Sequence, residues 1–129
     1  MNLGHRYGLP LLIALIISAT APPSLAQDFR NAEAAVEQGV IYVQQGQLED
    51  AIAAFKSAIA LDPNLAVAHY NLGLAYREQS QMQAAADAFW QAIPADPNIT
   101  MAYVNLGAAL LDSGNLEQAE SYLQRAVVL

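Results

Sequence analysis

The 129-residue sequence contains no cysteine. Disulfides are therefore excluded. A lipoprotein, whose lipid is attached to a cysteine at the processing point, is excluded too. Basic residues are few: five Lys and Arg stand against twelve Asp and Glu, for a net charge of −7. With no basic stripe to neutralise phosphates, nucleic acid is an unsuitable partner. Adhesion to anionic lipid is disfavoured for the same reason. The scattered acids serve solubility. The chain also lacks a Ser/His/Asp arrangement, a Gly-rich phosphate loop and an HExxH motif. Nothing supports an enzyme, and no cofactor is expected.

A long apolar run is missing as well. Residues 9–21 are strongly apolar but number only 13, against the roughly 20 needed to span a bilayer. Arg6 precedes this run, and Ser24-Leu25-Ala26 follows it with small residues at both positions of a cleavage site. The earlier match, Ala19-Thr20-Ala21, is followed by Pro22, which the protease accepts poorly. Residues 1–26 therefore read as an export signal, with Gln27 as the mature N-terminus and an extracytoplasmic destination (periplasm, lumen or secretion). The alternative is an uncleaved anchor. After cleavage the net charge is one unit more negative, and no membrane contact is expected. Residues 27–129 suffice for one small domain with a continuous core.

What is present is periodicity. Gly39, Gly73 and Gly107 are spaced 34 residues apart, and Asn71-Leu72-Gly73 recurs as Asn105-Leu106-Gly107. A fixed period of this length marks a helix-turn-helix solenoid. After a lead-in over residues 27–31, the repeats run over 32–65, 66–99 and 100–129. Each divides into helix A and helix B: 32–45 with 48–61, 66–79 with 82–93, and 101–113 with 116–128. Alanine, leucine, glutamine and glutamate fill these segments and favour helix. Gly46 and Gly114 follow the first and third A helices, where a left-handed residue closes the last turn. Ser80 takes that place in the second repeat, at a cost on the order of 1 kcal/mol relative to glycine. Asp62-Pro63-Asn64 and Asp96-Pro97-Asn98 end the first two B helices. Pro94 should kink or shorten the second B helix, because it removes the hydrogen bond to the Trp90 carbonyl.

Large and small residues alternate on the same register. Gly39, Tyr42, Ala51, Phe55 and Ala58 recur as Gly73, Tyr76, Ala85, Phe89 and Ala92, and again as Gly107, Leu110, Ala119, Leu123 and Ala126. The small residues let paired helices approach, and the large ones fill the space beside them. This pattern, with the Asp-Pro-Asn linker, resembles the tetratricopeptide repeat over nearly all of residues 27–129. The resemblance implies an all-α, right-handed solenoid of stacked helix pairs that serves protein–protein interaction and assembly. His69 departs from it, standing where tryptophan is common, with Ala35 and Tyr103 as counterparts. The third repeat lacks its Asp-Pro terminator, so the last helix leaves Leu116, Leu123, Val127, Val128 and Leu129 uncovered. Either the sequence is part of a longer protein, or this face docks a partner or a second copy.

In such solenoids the A helices line the inner face. By helical spacing that face carries Glu33, Val36, Glu37, Val40 and Gln44, then Val67, Tyr70, Asn71, Leu74, Arg77 and Glu78. Met101, Val104, Asn105, Ala108, Leu111 and Asp112 complete it. Asn71 and Asn105 are equivalent, and an exposed asparagine can bond both N–H and C=O of an extended peptide. The alternative is that they cap or solvate locally. One subtype of the family clamps a terminal carboxylate with lysine, asparagine and arginine. Here Glu33, Glu37 and Met101 stand in place of those groups, and Arg77 is the one groove cation, so a receptor for acidic tails is disfavoured. His69, with no carboxylate at helical spacing, is expected to pack rather than bind metal. Trp90 is expected to fold over the turn at Pro94, with a convex-side anchor as the alternative. The favoured function is an exported, non-catalytic scaffold for a protein or peptide partner. The alternatives are the leading segment of a longer exported enzyme, and self-association through the uncovered end.

Overall fold

The computed structural model describes residues 29–129. Among them run six α-helices: α1 (Ala32–Gln44), α2 (Leu48–Leu61), α3 (Ala66–Glu78), α4 (Met82–Ala95), α5 (Thr100–Asp112) and α6 (Leu116–Val128). The expected export signal lies outside the described residues. Each helix packs against its successor, and α1 also touches α3. The result is an all-α solenoid of stacked helix pairs. Among the described residues no helix is long and apolar enough to cross a membrane.

Local chemistry fixes the ends. Asn31 opens α1 by accepting a hydrogen bond from the Ala34 amide at 2.8 Å. All three A helices close alike. The amides of Gln47, Gln81 and Asn115 reach back to the carbonyls of Tyr42, Tyr76 and Leu110 at 2.8, 2.9 and 2.8 Å. This six-residue closure requires a left-handed residue just before each donor. Gly46 and Gly114 supply it at φ 74° and 82°, and Ser80 adopts it at φ 59°. The linkers between repeats are Asx turns: Asp62 Oδ1 accepts from the Asn64 amide at 3.0 Å, and Asp96 Oδ1 from the Asn98 amide at 3.1 Å.

Pro94 does not shorten its helix. α4 continues to Ala95, and at 14 residues it equals α2. The proline falls in the last turn, where losing one N–H orphans only the Trp90 carbonyl, on a residue that is exposed.

The core follows the repeat register. Phe55 and Phe89 are the largest fully buried side chains. Phe55 joins Ala35, Ala51, Ala58, Leu72 and Ala75 in one cluster, and Phe89 joins Ala85, Leu106, Ala109 and Ala119 in the next. Each ring lies flat against a glycine. A Cβ on Gly39 would fall 2.4 Å from Phe55, and one on Gly73 would fall 2.5 Å from Phe89. Glycine is thus required by the close approach of the paired helices. Phe29, in the lead-in, packs on the first cluster. At the other end α6 buries only Ala119, and Val127 is 87% exposed.

Candidate functional site

The A helices lie side by side and share a face. From α1 it shows Val40 and Val43, from α3 Val67, and from α5 Met101 and Leu111, all exposed. Val43 was not among the residues that spacing alone placed there, although it stands at the repeat position of Arg77. Tyr70, Leu74, Val104 and Ala108 are half-buried on the same face. Tyr70 and Leu74 also pack on the second core cluster, with the Tyr70 ring 5.8 Å from that of Phe89. Val36 is buried in the first cluster.

The two asparagines differ. Asn105 is not an exposed peptide-bonding group: it is 6% accessible and fully engaged. Its Oδ1 accepts a short hydrogen bond from Arg77 Nη1. Its Nδ2 donates to the Met101 carbonyl at 2.8 Å and to the Tyr70 hydroxyl at 3.3 Å. A buried amide needs such partners, since leaving one unmade costs about 1–3 kcal/mol. Asn71 is half-buried and uses only its Nδ2, which donates to the Val67 carbonyl at 2.9 Å. No donor among the described residues reaches its Oδ1. The reason lies one repeat upstream. Where Asn105 meets Tyr70 and Arg77, Asn71 has Val36 and Val43 at the equivalent positions. That difference in polarity was present in the sequence and distinguishes the two sites.

Three family models together match residues 39–129 of this arrangement: a TPR repeat model over residues 39–80, overlapping a tetratricopeptide repeat model over 66–99, and a further tetratricopeptide repeat model over 100–129. The chain belongs to the tetratricopeptide repeat family. Several solved structures resemble it closely. The crystal structure of MamA matches with a TM-score of 0.75 and 31% identity, covering 78% of this chain. The chain spans 58% of that protein's length. The second TPR of Spaghetti (RPAP3), bound to the HSP90 peptide SRMEEVD, matches with a TM-score of 0.74 and 25% identity, over 78% of this chain and 93% of that one. The first TPR of Spaghetti, bound to the same peptide, matches at 0.72 and 27% identity, over 78% and 79%. No curated protein matches the chain.

The remaining candidate residues have structural duties in the TPR framework. His69 Nε2 donates to the Pro63 carbonyl at 2.8 Å. Its counterpart Tyr103 makes the same link one repeat on, from its hydroxyl to the Pro97 carbonyl at 3.3 Å. This position therefore ties helix A to the turn before it. Trp90 finds a ring partner in the third repeat. Its ring meets Tyr122 of α6 edge-on at 5.5 Å between centroids, and it remains half-exposed. Burial pushes the Tyr122 hydroxyl above its ordinary pKa, and Tyr103 adds to the shift. Among the described residues no group of three or more His, Asp or Glu could hold a metal ion.

Proposed function

We propose that this chain is an exported, non-catalytic TPR scaffold that binds a protein or peptide partner along the A-helix groove. One observation carries the reading. A row of exposed aliphatic side chains, Val40, Val43, Val67, Met101 and Leu111, runs beside Asn71, whose amide oxygen lacks a donor. Apolar surface beside a free acceptor suits an extended segment, which needs both side-chain contact and backbone bonding. The peptide-bound TPRs of Spaghetti support it by similarity. The export signal read over residues 1–26 would deliver the scaffold outside the cytoplasm, where such a module assists complex assembly.

The test is selective truncation. Val40→Ala with Val67→Ala removes apolar contact from the groove without disturbing the core. The account expects binding of a captured partner to weaken while helicity is unchanged. Equal binding by the variant and the parent protein rejects the groove.

A second reading rests on α6. Leu116, Val127 and Val128 are exposed on a helix that buries little, and apolar patches of this kind favour self-association. Sedimentation across a dilution series tests it. A monomer at all concentrations excludes it.

A further inference from the structure

The charges along the groove are lopsided. Glu33 and Glu37 on α1, Glu78 on α3 and Asp112 on α5 are all exposed. None of these carboxylates has an ion-pair partner among the described residues. Glu33 sits in the first turn of α1, where an acid complements the helix dipole. Glu37 lies a turn further on and has no such role. The two acids line one recess of about 280 Å³ with Arg30, Asn31 and Ala34. Arg30 offsets one of the two charges there. The cation of the groove proper, Arg77, is turned onto Asn105.

Polar recognition is lopsided in the same sense. The α3–α5 half is closed by the bonds among Tyr70, Arg77 and Asn105. The α1–α3 half keeps Asn71 Oδ1 open as an acceptor, beside exposed Val40, Val43 and Val67. An acceptor seeks a backbone N–H, aliphatic walls seek aliphatic side chains, and unpaired carboxylates seek a cation.

On the groove reading above, we infer that the occupant is an extended peptide segment carrying aliphatic residues and a lysine or arginine. It is read by the α1–α3 half, its cation lies against Glu33 and Glu37, and acidic segments are repelled.

The experiment is a display selection of random linear dodecapeptides on the protein, followed by fluorescence anisotropy of the recovered peptides. The recovered pool should be enriched in Lys or Arg with Val, Ile or Leu. Glu33→Gln with Glu37→Gln should weaken those peptides by roughly 2- to 5-fold, as expected for one exposed ion pair in a recess whose other charge Arg30 offsets, and added salt should reduce the difference. Val40→Ala with Val67→Ala, which changes no charge, reads the groove itself. Peptides that respond to the valine changes but are acidic, or that ignore the glutamine changes, overturn the inference and leave the groove standing. Peptides indifferent to the valine changes, or a selection that yields no binder, overturn the groove reading and the inference with it.

Discussion

Arg77 on α3 donates to the buried amide oxygen of Asn105 on α5, joining the second and third repeats across 28 residues of sequence. The bond makes one asparagine structural and leaves its repeat-equivalent, Asn71, available. The full engagement of Asn105 depends on Arg77 and, through a second bond, on Tyr70, and both have valines as counterparts in the first repeat.

The two asparagines should therefore respond differently to truncation. Asn105→Ala strips partners from Arg77, Tyr70 and the Met101 carbonyl, and should cost about 1–3 kcal/mol. Asn71→Ala should stay within about 0.5 kcal/mol of the parent protein. Urea unfolding of both variants, with unchanged slopes, reads the difference.

Glycine at the helix crossing makes a graded prediction. Gly73→Ala drives a methyl into Phe89, which is fully buried and cannot move aside. A loss of about 1–3 kcal/mol is expected. Gly107→Ala meets Leu123, an aliphatic side chain only half-buried on α6, where Phe89 is fully buried. It should be the milder of the two in thermal melts.

Ser80 offers a gain. Its left-handed φ of 59° is strained for a residue with a Cβ. Ser80→Gly should stabilise the protein by about 0.5–1 kcal/mol, the relief of strain exceeding the added freedom of the unfolded chain. The opposite change, Gly114→Ser, should destabilise it. Melting temperatures of the two variants should move in opposite directions.

Tyr122 contributes a pH dependence at the alkaline end. Its hydroxyl titrates near pH 10.0 when free, and burial raises that value in the fold. The native state thus holds the proton more tightly than the unfolded chain. The stability linked to this group is complete below pH 10 and is lost as pH rises through the raised value. Tyr122→Phe should flatten that decline. Melting temperature against pH from 8 to 11, compared between the two proteins, isolates the effect.

Much of the fold was legible because the repeats carry their own punctuation. Gly46, Ser80 and Gly114 marked three identical closures, and Gly39 and Gly73 marked the seats of Phe55 and Phe89. Local rules suffice for such features, because each depends on backbone geometry or on residues at a fixed offset. The site was less legible. Helical spacing put Asn71 and Asn105 on one face, but their burial depends on neighbours contributed by the preceding repeat. The same holds for Trp90, whose partner Tyr122 comes from the next B helix. Pro94 did not shorten its helix, because the effect of proline on helix length depends on how many turns follow it.

The most direct test of the groove is methyl NMR of the isotope-labelled protein, titrated with a peptide recovered by selection. Shifts should concentrate on the methyls of Val40, Val43, Val67, Met101 and Leu111, while Ile59 and Leu61 on α2 stay still. Shifts centred on α2, α4 or α6, with the A-helix valines unmoved, would contradict the account.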